Sequence, residues 1–122
     1  MVRACNIFLR NSESIPVTPA TRDYWVGQVK FLRAWYLFTL LKHYGGFPML
    51  GDDVFDDDDK IDIPRSSYET CVNYIIQELD GAAALLPASY TVGNVNQIRV
   101  TKGSALAVKA RLLLYAASPL FN

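Results

Sequence analysis

Carboxylates are the side chains of this sequence with the most obvious capacity for chemistry. Asp52, Asp53, Asp56, Asp57, Asp58, Asp59 and Asp62 put seven of the chain's twelve acids into eleven residues. Clustered carboxylates offer the hard oxygen ligands that calcium takes. The spacing is not that of an EF-hand, however. Counted from Asp53, the sixth position is Asp58 where the loop needs glycine, and the twelfth is Pro64 where the ion needs glutamate. Without a metal, neighbouring like charges repel and stay hydrated, so this segment is expected to be an exposed, mobile loop. Asp56 to Lys60 also spell an enteropeptidase recognition string. Lying between two helical segments, that string is a probe of exposure and not a biological site.

Cleavage of a glycosidic bond needs two carboxyl groups about 5 to 9.5 Å apart across the sugar. Outside the loop, Glu69, Glu78 and Asp80, grouped on the third helical segment, are the acids that could supply them. Glu69 falls three residues after Ser66, the spacing of a capping box. Glu78 and Asp80 are expected on a solvated face, away from the apolar stripe of their helix. No catalytic residue, metal ligand set or cofactor site follows, and the chain is not expected to be an enzyme. His43 is the single histidine, placed where its charge suits a helix C-terminus. Gly45-Gly46 follows a helical segment, where a phosphate loop would precede one. Cys5 and Cys71 form no metal or disulfide framework by spacing and could pair at most once.

Sugar recognition needs flat aromatic surface together with amide or carboxylate partners for hydroxyls, and an aromatic content of 12% permits it. Trp25, Trp35, Tyr36, Phe38 and Tyr68 fall on helical stripes and are expected in the core. Phe55 and Tyr90 instead lie in polar loops, Tyr90 with Asn94, Asn96 and Gln97 close by. These two are the candidate ligand-binding residues.

Four helical segments must position these groups. They are expected near Val2 to Arg10, Arg22 to Tyr44, Ser67 to Leu86 and Thr101 to Ala117, separated by the Pro16 and Pro19 turn, an acidic loop over 51–63 and a polar loop over 87–100. The second carries Trp25, Val29, Leu32, Tyr36 and Leu40 on one stripe, widened by Phe31, Trp35 and Phe38. It ends at Gly45 and Gly46, with Pro48 preventing continuation. On the third and fourth, Leu79 and Leu113 continue apolar stripes and are expected in the core. No strand pattern appears, so the fold class is all-α: two helical hairpins of the tetratricopeptide kind, with only faint internal repetition.

With 122 residues, 51% apolar and 20% charged, the chain fits one globular domain. Its twelve basic and twelve acidic residues balance, which argues against a dedicated nucleic-acid binder. Outside the acidic loop, eleven bases stand against five acids, a mildly basic body. Val2, Arg3, Ala4 and Cys5 follow Met1 without the apolar run of a secretory signal, and the stretch Phe31 to Leu41 is shorter than the roughly 20 residues a bilayer demands.

The punctuation between the helices is more specific than the helices. Phe31-Leu32-Arg33-Ala34-Trp35-Tyr36 precedes Tyr44-Gly45-Gly46-Phe47-Pro48; Pro64-Arg65-Ser66 opens a helix that reaches Glu78-Leu79-Asp80, with Leu86-Pro87 after it. The last segment runs from Arg99 through Lys102-Gly103-Ser104-Ala105 and Ala110-Arg111-Leu112-Leu113-Leu114-Tyr115 to Ser118-Pro119-Leu120-Phe121-Asn122. Together these motifs, ordered over nearly the whole chain, closely resemble the SusD/RagB family of nutrient-binding outer-membrane lipoproteins. One departure is Ile98, where relatives often carry glycine before the arginine.

The resemblance implies a fragment: the tetratricopeptide-like scaffold, residues 1–122, of a larger SusD-like fold, with a lipid anchor expected upstream. It implies a surface-exposed, non-enzymatic component of an outer-membrane uptake system that delivers oligosaccharide or another nutrient to a TonB-dependent, SusC-like transporter. It carries no ligand residue onto this sequence. The alternative reading of the same helices is a generic helical-repeat module for protein-protein interaction.

Overall fold

The computed structural model describes residues 1–56, 58–91, 93 and 98–120. Its elements are α1 (Val2–Asn11), a short 3-10 turn (Ser12–Ser14), α2 (Pro19–Tyr44), α3 (Tyr68–Leu85) and α4 (Lys102–Ala116). No strand occurs among the described residues; extended backbone pairs in an isolated antiparallel bridge between Pro48 and Arg65. The chain is all-α, as expected.

α2, α3 and α4 each begin where the sequence offers a side-chain cap, whereas α1 opens at Met1 without one. The Thr18 hydroxyl accepts from Thr21 N–H and Pro19 takes the first turn of α2, where its missing N–H costs nothing. The proline expected to hold off the helix therefore starts it, three residues before Arg22. α3 is capped by Ser67, whose hydroxyl accepts from Thr70 N–H at 3.1 Å, and not by Ser66 with Glu69. At α4 a reciprocal capping box joins Thr101 and Ser104. α2 stops at Gly45, which takes φ +69°. Gly46 is required next, because a Cβ there would overlap the Ser66 carbonyl oxygen.

Successive helices pack antiparallel. Asn6 faces Arg33 across α1 and α2, Arg33 faces Glu78 across α2 and α3, and Asp80 faces Lys109 across α3 and α4. The core is formed by Phe31, Ala34, Leu37, Phe38 and Leu41 of α2, Cys71, Ile75, Leu79 and Ala82 of α3, and Ala105 and Leu112 of α4. Tyr115 closes it, meeting Phe38 edge-on with ring centroids 6.0 Å apart. Full burial of each large apolar side chain contributes about 1.5–3 kcal/mol.

The inward face of α2 differs from the expected one. Trp25 and Trp35 are each 37% exposed, and Leu32 and Leu40 are exposed as well. The buried face runs through Gly27, Phe31, Ala34, Phe38 and Leu41. α3 selects it because small residues there allow close approach: a Cβ on Gly27 would stand 3.0 Å from Leu85 Cβ. On α4, Leu112 is buried and Leu113 is 45% exposed, so the core position is one residue earlier than expected. Tyr36 and Tyr68 are half-buried, and Phe38 is buried as expected. Cys5 and Cys71 are both buried free thiols, and burial raises the Cys5 pKa.

Candidate functional site

Polar groups converge at three places. The innermost is a buried ion cluster centred on Arg33 of α2. Its Nε donates to Glu78 Oε2 at 2.7 Å, and its Nη1 to Asn6 Oδ1 at 2.9 Å and to Asp52 Oδ1. Lys30 Nζ donates to the other Glu78 oxygen at 3.3 Å. Burial pulls the Arg33 pKa down, but the bonds to Glu78 and Asp52 outweigh it and raise it overall. Glu78 is therefore 5% exposed and ion-paired, not on the solvated face expected from its helix. The Asn6 amide donates to the carbonyls of Gly51 and Asp53 at 3.1 and 2.8 Å. The cluster thus joins α1, α2, α3 and the start of the acidic loop.

That anchoring changes the picture of the loop. Its described carboxylates are exposed, as expected, but Asp52 is held by Arg33, Asp56 pairs with Arg3 at 3.5 Å, and the Asp59 carboxylate accepts from Asp56 N–H at 2.7 Å. The repulsion expected to leave the segment mobile is relieved at these points by cations and backbone. Asp57 lies outside the described residues. Phe55 is half-buried beside this segment, its carbonyl accepting from Arg3 Nε at 3.1 Å. It lines a groove of about 350 Å³ with Arg3, Asn6, Asp53, Asp56 and Asp59. A separate, apolar hollow of about 400 Å³ lies between Val2, Leu37, Leu40, Met49, Ile61 and Tyr74.

Tyr90 lies in the largest of the three grooves, about 660 Å³, within the ~300–1,000 Å³ typical of small-molecule sites. One wall is the opening of α2, where Thr21, Tyr24, Trp25 and Gln28 share a face at i, i+3, i+4 and i+7 spacing. The other wall is the end of α3 with Leu85, Leu86 and Pro87, continued by Tyr90 and Arg99. The Tyr90 hydroxyl lies 3.1 Å from the Tyr24 hydroxyl and donates to the Val100 carbonyl at 3.0 Å. The two rings meet edge-on at 82°. Burial and the bond with Tyr24 push the Tyr90 pKa up to about 12, so its hydroxyl is neutral at physiological pH. Tyr90 is thus a braced wall, and its hydroxyl is engaged within the protein. Asn94, Asn96 and Gln97, expected beside it, lie outside the described residues.

Sequence reading missed Trp25, Gln28 and Arg99 as members of this groove. Arg99 Nη1 donates to Gln28 Oε1 at 3.3 Å, across 71 positions of sequence. The helical face at 21, 24, 25 and 28 was legible, but only the approach of the α3–α4 connection makes it a concavity. The remaining candidates stay apart: Glu69 is exposed, and Asp80 accepts from Lys109 Nζ at 2.7 and 2.8 Å. His43 Nδ1 donates to the Thr39 carbonyl at 2.8 Å on the surface. No group of three or more His, Cys, Asp or Glu side chains able to hold a metal ion occurs among the described residues. No helix among them is long and apolar enough to cross a membrane.

Against this geometry, comparison with known proteins places the fold. Residues 1–114 match the SusD-like family described as "Starch-binding associating with outer membrane", and the chain belongs to that family. A SusD-like protein of Bacteroides fragilis is similar at 38% identity and TM-score 0.85, over 93% of this chain and 22% of that one. A SusD superfamily protein of Parabacteroides distasonis is similar at 26% identity and TM-score 0.78, over 98% and 25%. The surface glycan-binding protein A of Bacteroides uniformis shares the fold at 24% identity and TM-score 0.79, over 93% and 25%. No curated protein matches the chain. The chain spans about a quarter or less of the length of these solved structures.

Proposed function

We propose that this chain is the helical scaffold of a non-enzymatic, glycan-binding protein of the outer-membrane surface, which delivers oligosaccharide to a TonB-dependent transporter of the SusC kind. The observation that carries the reading is the match of residues 1–114 to a family described as starch-binding and associated with the outer membrane. The chemistry agrees with it. The helical acids are engaged in an ion cluster, in an inter-helix pair or in solvent, and the grooves offer aromatic and amide groups suited to holding a sugar. Phe55 and Tyr90 are retained as candidate ligand-side residues, Tyr90 through its ring. Residues 1–122 form one scaffold unit in this reading, with the ligand-bearing loops at 51–63 and 87–100 and a lipid anchor upstream.

Co-purification tests the transporter half of the proposal. The affinity-tagged protein, expressed in its native outer membrane and extracted in mild detergent, is expected to bring down a β-barrel transporter in stoichiometric amount. Recovery of the protein alone under cross-linking would count against delivery while leaving glycan binding to be judged by titration with oligosaccharides.

A further inference from the structure

The groove between the opening of α2 and the α3–α4 connection differs from the Phe55 groove in the sign of its charge. Among its described lining residues Arg99 is the single ionic group and none is a carboxylate. The Phe55 groove has three aspartates against Arg3. Arg99 makes no ion pair among the described residues; its hydrogen bond to Gln28 orients the guanidinium along the groove wall. Trp25 lines the groove and is 37% exposed, which leaves part of its ring free to meet a ligand. Tyr24 and Tyr90 brace each other and the Val100 carbonyl, so the wall opposite α2 is already in place before any ligand arrives. Gly27 sets the groove's inner end, since it lets Leu85 and Leu86 close on α2.

We propose that this groove is a subsite for an anionic sugar ring: Trp25 stacks on its apolar face, Gln28 pairs with a hydroxyl, and Arg99 receives its carboxylate or sulfate. The assignment rests on the glycan-binding reading and narrows it. A guanidinium matches a planar carboxylate or a sulfate with two parallel N–H donors, giving charge-assisted bonds stronger than those to a hydroxyl. An aromatic face takes any sugar, so the arginine carries the discrimination. The acidic groove near Phe55 would repel the same ligand, which confines it to one end of the scaffold.

Calorimetric titration of the full chain with trigalacturonate, with a sulfated galactose oligomer of similar length and with neutral maltotriose tests the assignment. The expected result is that Arg99→Gln weakens binding of at least one charged oligomer about tenfold or more. It should also flatten the salt dependence of that binding and leave the neutral sugar unaffected. Which charged oligomer responds tells carboxylate from sulfate. Trp25→Ala should weaken binding further, while Trp25→Phe, which keeps a ring and protects the fold, should retain most of it. Far-UV circular dichroism checks that each variant is folded. If a sugar binds but neither Arg99→Gln nor Trp25→Ala changes its affinity by more than about twofold, the subsite is wrong and the glycan-binding reading survives. If only the neutral sugar binds here, the anionic assignment is wrong; if none of a wider glycan panel binds, both fall.

Discussion

A guanidinium can remain charged inside a helical body only if acceptors replace the water it has lost. Around Arg33 these are Glu78, Asn6 and Asp52, with the Tyr74 ring 5.9 Å away. Removing Glu78 takes away the buried countercharge and leaves the guanidinium with only Asn6 and the exposed Asp52 carboxylate. Glu78→Ala is therefore expected to destabilise the fold by about 3–5 kcal/mol, whereas Asp80→Ala, which loses a partly exposed pair, should cost about 1 kcal/mol or less; urea denaturation measures both. Tyrosine gives the pH dependence. Burial pushes Tyr74 up to about 12, and burial together with the Tyr24 bond does the same for Tyr90. The ordinary tyrosine value is near 10, so above it the unfolded chain loses protons that the folded chain keeps. Stability is then complete below about pH 10 and falls progressively from there to about 12. Tyr90→Phe should remove its part of that fall, read from the urea midpoint against pH. The type and number of Glu78 were visible in the sequence, but its partner lies 45 positions away on another helix. Helical periodicity places a residue on a face and is blind to what meets that face.

Helices themselves were legible because their signals are local: the apolar recurrences of α3, the two glycines after α2, and the hydroxyl residues Thr18, Ser67 and Thr101 before α2, α3 and α4. Boundaries fell within three residues of the expected ones. Orientation was less legible for α2, which is apolar nearly all round, so periodicity could not choose between the Trp25 side and the Phe31 side. Small residues decided it, since Gly27 and Ala34 let neighbouring helices close in. On α4 the same contest shifted the core from Leu113 to Leu112. Leu79→Ala is accordingly expected to cost about 2–5 kcal/mol and Leu113→Ala less than about 1 kcal/mol, a contrast that thermal or urea unfolding resolves. Gly46→Ala should destabilise by about 1–3 kcal/mol, because the new methyl must displace the backbone at Ser66. Ser67→Ala should cost about 1 kcal/mol through loss of the cap, with Ser66→Ala smaller.

At the scale of the whole molecule, α2, α3 and α4 share a single core to which α1 is joined through the Arg33 cluster, and the polar grooves open at separate places along α2: one beside its first turns, the other near its middle, where that cluster holds the acidic loop. Leu106, Leu113 and Leu114 leave the outer side of α4 apolar and exposed. The family was readable from ordered motifs at the helix junctions, where backbone geometry restricts residue choice. The groove was not, because its two walls are brought together only by folding. The central claim is that this scaffold belongs to a protein that holds glycans without cleaving them. Its most direct test is calorimetry of the full chain against a panel of oligosaccharides, with chromatography of the recovered sugar after prolonged incubation. The account predicts saturable binding of at least one oligosaccharide, recovered at its original length; shortened sugar, or no binding by any glycan in the panel, would contradict it.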